Sequence, residues 1–477
     1  MWQPVLMICG YFISVLGIAM LFPAAFDIYY NHTNWSVFIN SSIVSIFIGL
    51  SLFLANKGKI KEITIQQAYL LTVLSWFSVA VLASLPFVFY GASITDALFE
   101  GFAGVSTTGA SVFADIEKLP QALLLWRSVL NGLGGIGIVI FATALLPFLG
   151  IGGMQIFQRE NSDVNEKFMP KISYMAKRII IVYLILIGAC LFSLRFVGMG
   201  WFDAVCHALS AISTGGASTK NNSIEAFNSA QIEWVIALFM FLGALPLSYY
   251  HSLLVTKNIH SLRSSQVAAF IKILVIYIAI MWGWLIYNGV FSPFEALRHA
   301  VFNVISLTSS TGFNAGNYLQ WGAFAATAAL VFSLTGGCSG STSGSIKIFR
   351  WQVIIAQLKR AFITTTEPNR LLMLKVGMTN IGNNVAGSIF VFFIAYGFSV
   401  AIITAIVALS GVDFVTAFGA VVGCITNVGS GINQTIGPAG NYAGFSNSIK
   451  LLLAFTMLLG RLDVLTVLVL FTKSFWR

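Results

Sequence analysis

The chain has 477 residues, of which 57% are hydrophobic and only 9% charged, and its mean hydropathy is +0.87. That composition excludes a string of soluble domains and puts nearly the whole chain in a lipid bilayer. The net charge of +10 would suggest a nucleic-acid partner in a soluble protein; here it reads as basic loops on the cytoplasmic side, with no nucleic acid expected. The five cysteines and five histidines are scattered, with neither metal-ligand spacing nor a disulfide framework.

Two apolar runs, about 4–24 and 37–56, predict leading spans. The first lacks a basic flank and is long enough to cross, so no cleavable signal peptide is expected. Lys57, Lys59 and Lys61 follow the second run and place that end, and with it the amino terminus, in the cytoplasm. Next come a span over about 66–90, a short helix over about 94–105, a loop, and a second span over about 121–147. The polar connector Gln158 to Arg178 leads to a unit over about 179–256 that ends near Lys257, His260 and Arg263. A third unit covers about 267–350 and is followed by a polar linker, Lys359 to Lys375. A fourth covers about 385–472 and ends at Lys473 and Arg477, which puts the carboxyl terminus inside as well. In this topology every Lys and Arg except Lys118, Arg127, Arg195, Lys220, Arg298, Lys450 and Arg461 falls on the cytoplasmic side or at its boundary.

The loop between short helix and second span recurs. It reads Val105-Ser106-Thr107-Thr108-Gly109-Ala110-Ser111, then Ile212-Ser213-Thr214-Gly215-Gly216-Ala217-Ser218. The third copy is Thr308-Ser309-Ser310-Thr311-Gly312-Phe313-Asn314, and the fourth is Thr426-Asn427-Val428-Gly429-Ser430-Gly431. A dehydrated monovalent cation needs a cage of neutral oxygens, which backbone carbonyls supply without trapping it. Glycine permits the dihedrals that turn successive carbonyls toward an axis and leaves the passage free of side chains. The candidate ion ligands are therefore the backbones of Thr107, Thr108 and Gly109; Thr214, Gly215 and Gly216; Ser310, Thr311 and Gly312; and Asn427, Val428 and Gly429. In the second copy, spacing from Cys206 favours Gly216 as the key glycine. Small residues also let helices pack closely in lipid, but four copies in matching contexts point to a pore. Asp96, Asp203, Glu295 and Asp413, at the starts of the short helices, are explained as N-terminal residues meeting free N–H groups.

The expected fold is thus an all-α membrane protein with ten transmembrane helices and four membrane–pore-loop–membrane repeats in pseudo-fourfold order around one ion pore. Its divisions are two leading helices (1–62) and repeats at 63–165, 166–265, 266–380 and 381–477.

Two further features bear on the pore. Gly336-Gly337-Cys338-Ser339-Gly340-Ser341-Thr342-Ser343-Gly344-Ser345 interrupts an apolar stretch running from about 320 to 362. Interior glycines cost a helix about 1 kcal/mol each. The segment therefore reads as a broken helix, whose irregular backbone lines the pore below the filter as a movable gate. A phosphate-binding loop is excluded, because Lys347 does not fit the required spacing. Arg461 falls inside the last apolar span, where a charge costs about 2.5–3.5 kcal/mol on insertion scales. It reads as an electrostatic barrier beneath the filter, against the alternative of a structural ion pair.

Several stretches resemble the Trk/Ktr/HKT superfamily of potassium transporters, and within it the TrkH-type branch with two extra leading spans. They are Leu98-Phe99-Glu100 leading to Ser106-Thr107-Thr108-Gly109, Leu125-Trp126-Arg127-Ser128 leading to Gly134-Gly135-Ile136-Gly137, the segment Gly336 to Thr342, and Gly460-Arg461-Leu462-Asp463. The resemblance covers essentially the whole chain. It implies potassium as the transported ion with no organic cofactor, one pore per subunit, a homodimer, and a gating ring of cytoplasmic nucleotide-binding subunits of the TrkA type. It also implies the bacterial inner membrane as the location. Superfamily members that replace the first glycine with serine admit sodium, so Gly109 favours potassium. The rival within transport is a sodium-coupled or sodium-permeable member of the same fold. The rival from another class is a membrane-embedded enzyme, and the sequence offers no catalytic constellation for one.

Overall fold

A computed structural model describes residues 2–58, 64–144, 168–251, 264–370, 372–377 and 379–477. Several residues that set the expected topology, among them Lys59, Lys61, Gln158, Lys167, Lys257, His260 and Arg263, lie outside these described residues.

The chain opens with α1 (Trp2–Ala19) and α2 (Leu21–Tyr29), followed by α3 (Trp35–Ala55). The first and third helices cross closely because small residues meet at the contact. A side chain at Gly10 would run into the Gly49 carbonyl at 2.6 Å, and the Ser42 hydroxyl donates to the Gly17 carbonyl at 2.7 Å.

The first long unit consists of α4 (Ile65–Ala83), α5 (Leu85–Tyr90), the short α6 (Ile94–Val105) and α7 (Gln121–Ala144). Thr64 and Gln67 form a capping box that starts α4. The helix breaks at Ser84, just ahead of Pro86, which has no N–H to continue the ladder. A second unit contains α8 (Phe168–Phe196), the short α9 (Trp201–Ile212), α10 (Ala230–Gly243) and α11 (Leu247–His251). The third has α12 (Ser265–Tyr287), the short α13 (Pro293–Thr308), α14 (Ala323–Leu334) and α15 (Ile348–Thr366). The last has α16 (Asn383–Leu409), the short α17 (Phe414–Ile425), α18 (Asn447–Arg461) and α19 (Val464–Leu468).

One element departs from the all-α expectation. Lys375–Val376 and Thr379–Asn380 pair as a small antiparallel hairpin between α15 and α16.

Among the described residues, seven helices are long and apolar enough to cross a membrane, or eight if the bent pair Asn447–Arg461 and Val464–Phe471 counts as one span. The expected tally of ten needs α10 and α14 as well, and both are shorter than a crossing helix. Each stops for a local reason. α10 ends at Gly243, three residues before Pro246, and α14 runs into the glycine-rich segment at 336. The last apolar stretch is not one straight helix either. It bends by 113° at Leu462-Asp463, where Asp463 has φ of +77°, so Arg461 sits at a helix end and not in mid-span.

The four short helices form the centre. α6 packs against α18, α9 against α7, α13 against α10 and α17 against α14, so each leans on the helix that follows the loop of the unit before it and the series closes on itself.

Candidate functional site

The starts of the four short helices are fixed by side-chain caps or by an acidic first turn. Ser93 accepts from the Asp96 N–H, Ser292 and Glu295 form a capping box, and Asp413 caps α17 by accepting from the Thr416 N–H at 3.0 Å. Asp203 lies in the first turn of α9, where its carboxylate accepts from the Thr219 hydroxyl at 2.6 Å. The Asp96 carboxylate also pairs with Lys450 of α18 at 2.7 Å.

The ends of these helices share one backbone design. In the first, the Thr107 N–H donates to the Gly104 carbonyl at 3.1 Å and the Thr108 N–H to the Ala103 carbonyl at 2.9 Å. This is a Schellman arrangement, which satisfies the last carbonyls and needs a left-handed residue just past the helix. The same two bonds recur at Thr214 and Gly215, at Ser310 and Thr311, and at Asn427 and Val428. The left-handed residues are not glycines: Thr107, Thr214, Ser310 and Asn427 have φ between 52° and 57°. For an L-residue that conformation costs about 1–2 kcal/mol. Four occurrences at equivalent places mark a constrained site.

Two residues further on, Gly109, Gly216, Gly312 and Gly429 again have positive φ, at 73°, 67°, 81° and 83°. Gly215 is not among the positive-φ residues, so Gly216 is the counterpart of the other three. Each of these glycines faces the next loop. A Cβ on Gly109 would collide with the Gly215 carbonyl oxygen, one on Gly216 with that of Thr311, one on Gly312 with that of Val428, and one on Gly429 with that of Thr108. The contacts run in cyclic order, and the carbonyl always belongs to the residue just ahead of the next glycine. The twelve candidate ligand residues are thereby brought together. Asn427, whose side chain differs from the hydroxyls elsewhere, donates to the Thr108 hydroxyl at 3.0 Å and the Met457 carbonyl at 2.8 Å, closing the fourth loop onto the first.

The helices behind the loops are cut to fit. A side chain at Gly134 of α7 would strike the Val105 carbonyl, one at Gly460 of α18 the Ile425 carbonyl, and one at Gly243 of α10 would meet the Ile212 carbonyl at 2.8 Å. Each carbonyl belongs to the residue four places before the loop glycine. Close approach leaves room for no side chain there.

The segment from Gly336 to Gly344 is non-helical and buried throughout. Non-helical backbone at membrane depth must be held by protein or line water. Here the donors and acceptors come from the unwound end of α10 and from the loops. The Cys338 N–H donates to the Ala244 carbonyl at 3.0 Å, and the Thr342 hydroxyl is within reach of the Ile212 carbonyl at 2.9 Å and the Gly243 carbonyl at 3.0 Å. The Ser343 hydroxyl lies 3.2 Å from that of Ser310, which also accepts from the Gly344 N–H, and Lys347 donates to the Ser343 carbonyl. The segment thus hydrogen-bonds to two of the four left-handed residues, Ser310 through the Gly344 N–H and Thr214 through the Thr342 hydroxyl at 3.4 Å, and Gly344 also packs against a third, Asn427. Gly340, with φ of +81°, accepts from the Leu247 N–H.

A cavity of about 50 Å³ is bordered by this segment, Arg350, Arg461 and Asp463. Asp463 pairs with Arg350, not with Arg461. Arg461 is 5% exposed, and among the described residues no acceptor reaches any of its three guanidinium nitrogens. The alternative of a structural pair for Arg461 therefore finds no partner there.

Sequence reasoning assigned no role to the side chains that hold the loops from behind. Glu100, His207, Asn303, Tyr318 and Tyr442 are all buried and all bond to loop residues. A signal existed: the first three stand nine residues ahead of Gly109, Gly216 and Gly312. Outside the spans, Asn221 donates to Asp115 at 2.9 Å, and this bond, with Lys118 beside it, holds the Asp115 carboxyl below its ordinary range.

The TrkH family, described as cation transport proteins, matches residues 34–477. The chain belongs to the TrkH family. It is 35% identical over 483 residues to the Trk system potassium uptake protein TrkI of Halomonas elongata, covering 100% of this chain and 97% of that one. It is 32% identical over 480 residues to the Trk system potassium uptake protein TrkH of Escherichia coli K12, covering 98% of each. The crystal structure of the potassium transporter TrkH from Vibrio parahaemolyticus superposes with a TM-score of 0.93 at 29% identity, covering 100% of both chains. TrkH is a family of transporters, not of enzymes. In this member, the stretch Gly134 to Gly137 lies on α7 where it passes the first loop, and Gly460 to Asp463 spans the bend after α18.

Proposed function

We propose that this TrkH-family chain takes up potassium through a single pore on the axis of the four loops. The observation that carries the reading is the cyclic order of the contacts, each loop glycine against the carbonyl of the next loop. A ring of this kind offers a potassium ion neutral oxygens in place of its hydration shell. The short helices support the reading further, since the loops follow their carboxyl ends, where the helix dipole is negative and favours a cation.

On this reading the chain is a ten-span protein, α10 and α14 being spans shortened by their glycine breaks, and its four repeats occupy 63–165, 166–265, 266–380 and 381–477 after two leading helices at 1–62. Gly336 to Gly344 is the gate below the filter. Arg461, which borders the same cavity and has no bonded acceptor among the described residues, is a barrier that keeps cations from resting there. A repulsive charge in a low-dielectric passage acts far more strongly than one at a surface. The working assembly is a homodimer in the bacterial inner membrane with both termini in the cytoplasm, gated by a cytoplasmic nucleotide-binding ring. The charge distribution of the loops supports the cytoplasmic termini, and the family match over residues 34–477 supports the rest of the arrangement.

Rubidium influx into vesicles holding the purified protein, with and without an opposing sodium gradient, tests the function. Influx that prefers rubidium over sodium is expected. Equal permeation of both ions, or none in a well-folded sample, would contradict it.

A further inference from the structure

The side chain nine residues ahead of each loop glycine occupies the same position on its short helix, and in three cases it is polar and buried. In the first, Glu100 accepts from the Ser111 hydroxyl at 2.6 Å and the Val112 N–H at 2.9 Å, while its other oxygen accepts from Arg127 at 3.0 Å. In the second, the His207 Nδ1 lies 2.8 Å from the Asp203 carbonyl, so that nitrogen donates and Nε2 accepts from the Ser218 hydroxyl at 3.0 Å. In the third, the Asn303 amide donates to the Ala315 carbonyl at 2.8 Å and the His299 carbonyl at 2.9 Å. Three different side chains thus tie the outgoing limb of a loop to the helix that leads into it.

The fourth helix has Ala420 at this place, which can donate and accept nothing. Its loop is held by two tyrosines from elsewhere. The Tyr442 hydroxyl donates to the carbonyl of Gly429 itself at 2.8 Å, and the Tyr318 hydroxyl to the Gly431 carbonyl at 2.9 Å. The Tyr442 N–H also donates to the Ser111 carbonyl at 2.8 Å, so the residue braces the fourth loop and the first together. Both rings are almost wholly buried, where a lost hydrogen bond is not replaced by water.

We infer that Glu100, His207 and Asn303 are struts that hold three of the loops in register, and that Tyr442 replaces the missing fourth strut and sets ion selectivity through the Gly429 carbonyl. The inference rests on reading the loops as the ion filter. A hydroxyl bonded to that carbonyl fixes its direction and takes up part of its negative field. Of the four quadrants, the fourth is therefore the one whose ligand strength a single side chain controls. Tyr442 is a positioning residue: it acts on the ion through Gly429.

The test is the rubidium-to-sodium influx ratio of reconstituted full-length protein. Tyr442→Phe keeps the ring and removes the donor, and the ratio should fall by about fivefold, the factor one net hydrogen bond is worth. His207→Leu should lower it similarly, and His207→Gln, which restores a side chain able to bond to Ser218, should recover most of the loss. Gly109→Ser is measured in parallel as the control for the filter itself. A wild-type ratio in folded Tyr442→Phe, while Gly109→Ser loses selectivity, overturns the strut assignment alone. A wild-type ratio in both overturns the filter reading and the inference with it. If Tyr442→Phe does not fold, the His207 pair decides: equal ratios in His207→Leu and His207→Gln refute the struts.

Discussion

The Thr342 hydroxyl lies 2.9 Å from the Ile212 carbonyl, tying the middle of the segment between α14 and α15 to the last residue of α9, four positions ahead of Gly216. The segment is therefore fastened to the back of the second loop by a side-chain bond that can be cut singly, and on the proposed reading that bond ties the gate to the filter. Replacing Thr342 with Val removes the donor at nearly constant volume, at a net cost of about 1 kcal/mol to the fastened state. Resting rubidium flux without any partner protein should rise severalfold. Removal of Gly340 to Ser343 should raise it further, and flux at the intact level in a folded deletion would identify the segment as a passive connection.

The loop glycines allow a sharper expectation. A side chain on Gly312 or Gly216 would overlap a carbonyl of the next loop and force an L-residue into the left-handed region, at about 1–2 kcal/mol for the backbone alone. Alanine at either position should lower the melting temperature as well as potassium selectivity. Gly109→Ser carries the same conflict against Gly215, so some loss of yield is expected alongside the loss of selectivity. Thermal melts and influx ratios on the same preparations check this. Selectivity kept in all of these variants would remove the glycines from the ion path.

How much of this was written in the sequence follows from the range of each interaction. The short helices were legible because their caps and apolar faces are local, and Ile94–Val105 falls where the pattern put it. The recurring glycines were legible because a positive-φ position that faces a neighbouring carbonyl demands them. The bend at Asp463 was not, since an apolar run reads as one helix and the Arg350–Asp463 pair found at the bend joins two distant segments. Nor was the shortness of α10, whose terminal Gly243 and Ala244 carbonyls accept from Thr342 and Cys338, roughly a hundred residues away along the chain. Tyr442 was invisible for the same reason: its bond to Gly429 skips over a long irregular segment that no periodicity describes.

The two arginines near the cavity should behave in opposite ways. The side chains of Arg350 and Asp463 are paired and little exposed, so Asp463→Asn strands a buried guanidinium and should destabilise the fold by about 3–5 kcal/mol. Among the described residues, Arg461 has no partner to strand. Arg461→Ala should leave the melting temperature nearly intact and speed ion passage, with selectivity retained because the filter is separate. A poorly folded, low-flux Arg461→Ala variant beside a stable Asp463→Asn variant would reverse the two assignments.

The central claim is that ions pass through the ring made by the Thr108, Gly215, Thr311 and Val428 carbonyls. Anomalous diffraction from crystals grown in rubidium tests it most directly. The account predicts an anomalous peak on the axis of that ring, within coordination distance of carbonyls from all four loops. Rubidium density confined to other places, in a protein that still transports the ion, would contradict it.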